Sequence, residues 1–153
     1  ELFFQTKEMH ELEKEEFLAN FSANPRTTHV GFVIIGGAFG EGIDLTSDRL
    51  IGVLIVGIGL SKINFESDRI ASYYSNDHKN GYNYAYLYPG MNKVMQAVGR
   101  IIRSEYDRGF ALLIDERYLT REYQSLYSKE WPDYEVVLNK EDAAKIIQDF
   151  IEK

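Results

Sequence analysis

The stretch Val30-Gly31-Phe32-Val33-Ile34-Ile35-Gly36-Gly37-Ala38-Phe39-Gly40-Glu41-Gly42-Ile43-Asp44-Leu45 runs an apolar segment straight into a glycine-rich turn. Residues 30–35 lack the alternation of a half-buried strand. That pattern belongs to strands covered on both faces, as in parallel α/β sheets. Four glycines within residues 36–42 then let the backbone approach a ligand closely. The turn falls at the carboxyl end of a strand, where open α/β sheets bind their ligands.

Working outward, similar apolar runs recur at residues 50–56 and 110–114, and residues 2–5 are strand-like. Helical patterns lie at residues 11–21, 66–74, 92–103 and 120–127. Strands alternating with helices predict an α/β fold with a doubly wound, mostly parallel sheet flanked by helices on both faces. Near the end, residues 134–138 read as an edge strand and residues 140–152 as a helix capped by Asn139. Its apolar stripe of Ala143, Ile146, Ile147 and Phe150 is expected to pack on the sheet. Residues 75–90, rich in Asn, Gly and Tyr, read as a long loop.

Composition bounds the function. At 153 residues with 44% hydrophobic and 27% charged side chains, the chain is expected to form a single soluble domain over residues 1–153. Cysteine is absent, so no disulfide and no Cys-ligated zinc or iron–sulfur cluster lies within it. A net charge of −7 argues against nucleic-acid binding by bulk electrostatics and leaves only local contacts. No apolar run reaches the roughly 18–20 residues of a membrane span, and the acidic start at Glu1 is unlike a signal peptide. The expectation is a cytoplasmic piece of a longer protein, without membrane contact. His10, His29 and His78 are scattered, and no metal site is expected from them.

A second motif, Gln96-Ala97-Val98-Gly99-Arg100-Ile101-Ile102-Arg103, places polar groups on one side of an apolar helix. At about 100° per residue, Lys93, Gln96, Gly99, Arg100 and Arg103 fall within roughly 120° of one another. Val94, Met95, Ala97, Val98, Ile101 and Ile102 fill the opposite side. No acid occurs from Asn92 to Ser104, unlike an ordinary solvated stripe. A glycine in a helix interior costs about 1 kcal/mol relative to Ala, so close approach of a ligand at Gly99 is one reading and an exposed basic edge the other. Neither the turn at Gly37 to Gly42 nor Gly57-Ile58-Gly59-Leu60-Ser61-Lys62 matches a P-loop, and the dinucleotide fingerprint is absent from the first turn.

Taken together and in this order, Gly37-Ala38-Phe39-Gly40-Glu41-Gly42-Ile43-Asp44-Leu45 and Gln96-Ala97-Val98-Gly99-Arg100-Ile101-Ile102-Arg103 resemble motifs V and VI of superfamily 2 helicases, most closely the DinG branch related to the xeroderma pigmentosum group D helicases. Tyr84-Ala85-Tyr86-Leu87-Tyr88-Pro89-Gly90 and Asp115-Glu116-Arg117-Tyr118 agree with it. The resemblance implies a RecA-like fold, the P-loop NTPase-like second motor domain of an ATP-dependent DNA helicase. It implies Arg100 and Arg103 as catalytic arginine fingers reaching a triphosphate across an interdomain cleft. Gln96, Gly99, Gly42 and Asp44 become ATP-binding candidates, and Gly36, Gly37, Phe39 and Glu41 candidates for contact with single-stranded DNA. ATP and Mg²⁺ would be held mainly by the first motor domain of the same polypeptide, which also carries any iron–sulfur cluster. This chain alone is then expected to be inactive, and its protein to be a bacterial, nucleoid-associated one.

Other readings stay open from the residues themselves. One is a free-standing α/β module binding a nucleotide or phospholigand without catalysis; another is an interaction domain that merely keeps the fold. Six of the eleven tyrosines fall within Tyr73 to Tyr88, either to stack bases or, the blander reading, to seat one segment on the domain. Asp115, Glu116 and Arg117 end a strand, as part of a cleft or as a structural ion pair.

Overall fold

The computed structural model describes residues 1–39, 45, 49–102, 107–131 and 133–152. Within these, strand β1 (Leu2–Phe4) leads to helix α1 (Glu11–Ala19), strand β2 (Val30–Phe32) and strand β3 (Gly52–Val56). Helix α2 (Phe65–Asn76) follows, then a π-helical turn (Asn83–Leu87) that runs directly into helix α3 (Tyr88–Val98). Strand β4 (Phe110–Ile114), a 3₁₀ turn (Glu116–Leu119), the short helix α4 (Arg121–Gln124) and helix α5 (Lys140–Ile151) complete the order.

Both strand pairings are parallel. β1 pairs with β2, Leu2 opposite Val30, and β3 pairs with β4, Gly52 opposite Phe110 and Val56 opposite Ile114. Among the described residues the two pairs form separate two-stranded ladders rather than one continuous sheet. The Gly57 N–H extends the second ladder by donating to the Ile114 carbonyl at 3.0 Å.

Each pair buries one face. Over the first, Phe17 and Phe21 of the α1 region pack with Phe3 and His29, and Phe39 lies on Phe17 with ring centroids 4.6 Å apart. Arg49 fixes the end of α1, donating Nε to the Phe21 carbonyl at 2.6 Å, as suits a cation at a helix carboxyl end. Over the second, Ile55 and Ile58 meet Leu87, Met91 and Val94 of the π turn and α3, with Tyr118 and Tyr123 closing the core. The opposite faces are less covered: Phe4 and Phe32 stack on each other in the open, and Val56 is 78% exposed.

Several elements depart from expectation. Residues 75–90 are not a loop: α2 runs on to Asn76, and the chain is helical again from Gly81. A Cβ at Gly81 would overlap the Ala71 carbonyl, so glycine lets the returning chain lie against α2. Helix α3 starts at Tyr88, with Pro89 in its first turn, where a missing N–H costs nothing. It stops at Val98, so Gly99 is its C-cap rather than an interior residue. Residues 134–138 pair with no strand among the described residues. Helix α5 forms as expected, with Asn139 Oδ1 accepting from the Asp142 N–H at 2.8 Å. It reaches the sheet through Phe150 on Phe110, and elsewhere a cavity of about 830 Å³ lies between its Ala143 and Ile147 and strand β4.

Candidate functional site

The turn after β2 is set by hydrogen bonds from within the first sheet pair. Gln5 continues β1, its N–H donating to the Phe32 carbonyl at 2.8 Å, and its side-chain oxygen accepts from the Ile34 N–H at 2.9 Å. The chain then reverses: the Gly37 N–H donates to the Ile34 carbonyl at 3.0 Å, and Gly36 takes φ +71°, a left-handed conformation suited to glycine. The Gly37 N–H is therefore committed within the turn and is not offered to a ligand. Gly36 is exposed and Gly37 half-buried.

Phe39 departs from its expected role. At 3% exposure and seated on Phe17, its ring is a core side chain and presents no surface for a base.

The turn after β3 lies alongside. Gly57 has φ +80°, and its carbonyl accepts from the Tyr118 hydroxyl at 2.8 Å. Two residues on, the Gly59 carbonyl accepts from Lys93 Nζ at 3.1 Å. The aliphatic stem of Lys93 fills the space between the two turns, since a Cβ at Gly36 would come within 2.8 Å of Lys93 Cδ and one at Gly59 within 3.4 Å. The glycine turn and helix α3 are thus brought together at the carboxyl ends of β2 and β3.

Along α3, Met91 and Val94 are buried while Gln96, one turn beyond Lys93, is exposed. Gly99 N–H makes the last α-helical bond, on the Met95 carbonyl at 2.8 Å, and beyond it the backbone tightens, with Arg100 N–H on the Ala97 carbonyl at 3.4 Å and Ile101 N–H on the Val98 carbonyl at 3.1 Å. Arg100 therefore projects from a hydrogen-bonded turn just past the helix end and is half-buried. Among the described residues, its chain neighbours aside, only the Met95 and Gln96 carbonyls come within 4 Å of a Cβ built at Gly99. Ile102, expected on the buried side, is exposed, whereas Ile101 is buried. Glu41, Gly42, Asp44 and Arg103 lie outside the described residues.

Asp115 and Arg117 form a structural pair. Arg117 Nε and Nη2 each donate to one carboxylate oxygen of Asp115 at 2.8 Å. Those bonds hold the Asp115 carboxyl below the usual aspartate range and push the Arg117 guanidinium up, against desolvation. Asp115 Oδ1 also accepts from the Arg117 N–H, capping the 3₁₀ turn that carries Tyr118. Burial pushes the Tyr118 phenol upward. Tyr74, Tyr84, Tyr86 and Tyr88 serve packing: Tyr74 and Tyr84 stack at 3.9 Å, Tyr84 meets Tyr88 edge-on, and Tyr86 donates to Asp68 at 3.1 Å. Tyr73 and Tyr82 stay exposed.

A family model described as Helicase C-terminal domain matches residues 1–134. The chain belongs to that family. The relatives it resembles within that family include a DinG helicase. It is 27% identical over 123 residues to a regulator of telomere elongation helicase 1 homolog from Oryza sativa subsp. japonica, covering 74% of this chain and 12% of that protein. To the ATP-dependent DNA helicase DinG of Photobacterium profundum it is 29% identical over 106 residues, 67% of this chain and 15% of that one. To the ATP-dependent DNA helicase chl-1 of Caenorhabditis elegans it is 31% identical over 88 residues, 57% of this chain and 11% of the other. A solved structure titled XPD_APO superposes with a TM-score of 0.64 at 18% identity, covering 82% of this chain and 26% of that chain, so the RecA-like fold is shared. This helicase C-terminal domain thus spans between 11% and 15% of the length of these curated relatives.

Two residues that shape the site were not among its sequence candidates. Gln5 acts through a single side-chain bond to Ile34, 29 residues away, which no local pattern records. Lys93 did share the polar face with Gln96 and Arg100, and Gly36 with Gly59 was the sign that a long side chain lies between two turns.

Proposed function

We propose that residues 1–153 form one domain, the second motor domain of an ATP-dependent DNA helicase. It completes an ATPase site whose P-loop lies on a first motor domain of the same polypeptide. The observation that carries this reading is the polar end of α3: exposed Gln96, with Gly99, over which no other element among the described residues packs a side chain, and Arg100 beside it. A glutamine amide, an open glycine backbone and a guanidinium suit a triphosphate and its ribose, because they supply donors to anionic oxygens in fixed positions.

In this reading Arg100 and Arg103 are the arginine fingers, stabilising charge on the oxygens of the transferring phosphoryl group. Gln96 and Gly99, with Gly42 and Asp44, border the nucleotide from this side of the cleft. ATP, with Mg²⁺ held mainly by the first motor domain, supplies the hydrolysis that opens and closes the two domains. The backbone at Gly36 and Gly37, and Glu41, lie along single-stranded DNA. Phe39 has no part in that contact because its ring is buried.

The test is calorimetry with ATP and Mg²⁺ on the purified chain. Weak or undetectable binding is expected, since half of the site is elsewhere. Micromolar affinity would overturn the reading in favour of a self-sufficient nucleotide-binding module.

A further inference from the structure

We infer that Lys93 is a positioning residue that couples the glycine turn after β2 to the arginine-bearing end of α3. This rests on the proposed function in one respect, that the turn meets the nucleic-acid strand and Arg100 meets the nucleotide. The geometry itself does not depend on it.

Lys93 stands where three parts of the domain converge. Gly36 ends the β1·β2 pair, Gly59 follows the β3·β4 pair, and Lys93 belongs to α3. Among the described residues the two pairs share no ladder, so no backbone hydrogen bond within a sheet carries movement from one turn to the other. The Lys93 stem lies against both turns, with ideal Cβ positions at Gly36 and Gly59 only 2.8 Å and 3.4 Å from its Cδ. Ile35 adds to the contact, its Cγ2 being 2.8 Å from a Cβ at Gly59. The ammonium end is anchored by its bond to the Gly59 carbonyl at 3.1 Å.

Glycine at both positions gives the stem its room. Gly36 also adopts φ +71°, so turn conformation and stem contact are specified together. A displacement of the turn presses on a methylene chain rather than on solvent. That chain is rooted in a helix whose underside, Met91 and Val94, is locked in the core. Lys93 lies five positions before Val98, the last residue of α3, about 7–8 Å at the rise of an α-helix, and Arg100 follows in the hydrogen-bonded turn just beyond it. A small tilt of α3 driven at Lys93 is therefore delivered to Arg100 as a shift of its guanidinium. Packed elements transmit strain in this way because close-packed interiors yield little.

The chemistry distinguishes the stem from the charge. Lys93→Met keeps the length of the stem and removes the anchor on Gly59; Lys93→Ala removes both; Lys93→Arg keeps a donor on a stem of similar reach. In the full-length protein the readout is the ratio of ATP turnover with single-stranded DNA to turnover without it. The ratio is expected to fall about tenfold in Lys93→Ala, within the usual range of coupling between two sites, to fall less in Lys93→Met, and to recover in Lys93→Arg. An unchanged ratio in Lys93→Ala would overturn the coupling.

A second measurement separates this from the helicase reading. Amide hydrogen exchange on the chain itself should show faster exchange at Gly37, whose N–H is bonded to Ile34, in Lys93→Ala than in the wild type. If turnover never responds to DNA but Gly37 loosens, the helicase reading fails and the mechanical link stands. If Gly37 exchanges at the wild-type rate, the link itself is refuted.

Discussion

The hydroxyl of Tyr118 donates to the carbonyl oxygen of Gly57 at 2.8 Å, joining the 3₁₀ turn after β4 to the left-handed turn after β3. Tyr118 is itself held by Tyr127, whose hydroxyl donates to the Tyr118 carbonyl at 2.9 Å. Tyrosines thus tie the turn after β4 to the turn after β3, and Lys93 holds the latter two residues further on, at the Gly59 carbonyl.

Removing that hydroxyl leaves the Gly57 carbonyl without its side-chain donor. Tyr118→Phe is expected to cost about 1–2 kcal/mol, a fall of roughly 2–8 °C in melting temperature for a domain of this size. Thermal unfolding followed by circular dichroism measures it. A melting temperature equal to the wild type would mean the bond adds nothing to that tie.

The same residue predicts alkaline lability. Burial raises the phenol of Tyr118 and, to lesser degrees, those of Tyr123 and Tyr127 above the ordinary 10.0. A group whose folded pKa is raised contributes stability that is complete below its unfolded pKa and is lost as pH rises through the folded one. Stability should therefore decline above about pH 10, more steeply in the wild type than in Tyr118→Phe. Denaturant midpoints measured between neutral and strongly alkaline pH give the two slopes; parallel curves would contradict the assignment.

At the acid end the sign reverses. The Asp115 carboxyl is held below its ordinary 3.8 by the two bonds from Arg117, so its contribution is present above that value and lost as pH falls below it. Asp115→Asn is expected to flatten the acid limb of the stability profile. It should also destabilise at neutral pH by leaving the half-buried Arg117 guanidinium without its charged partner. An acid limb as steep in Asp115→Asn as in the wild type would assign the lability to other carboxylates.

Phe39 separates packing from strand contact. Phe39→Ala should cost about 3–5 kcal/mol, as for other buried aromatic rings. Phe39→Leu should cost less, with affinity for single-stranded DNA unchanged in molecules that remain folded. A selective loss of DNA affinity in Phe39→Leu would return the ring to the binding surface.

How much was legible in the sequence follows from where the information lies. β4 was read to the residue, because Phe110 to Ile114 is an unbroken apolar run ended by Asp115, which caps the next turn. The last helix was equally plain, since Asn139 and the stripe through Phe150 are local signals. The helical return at residues 81–90 was not, because Asn, Gly and Tyr signal loops. Here the π turn at Asn83–Leu87 is instead held by tertiary stacking of Tyr84 on Tyr74. Gly99 was misplaced for a related reason: a glycine two residues before an Ile-Ile pair looks interior, but it closes α3. In the site, the glycine turn and the polar face of α3 were each visible as a motif. The Lys93 bridge that joins them was not, since it depends on backbone approaches between elements far apart in sequence.

Arg100 is proposed to act on a nucleotide that this domain does not hold by itself. The most direct measurement is steady-state ATP hydrolysis by the full-length protein in saturating single-stranded DNA, comparing Arg100→Ala with the wild type and checking ATP binding in parallel. Loss of an arginine finger predicts turnover reduced by about 10³-fold or more with ATP still bound; turnover near the wild-type rate would contradict it.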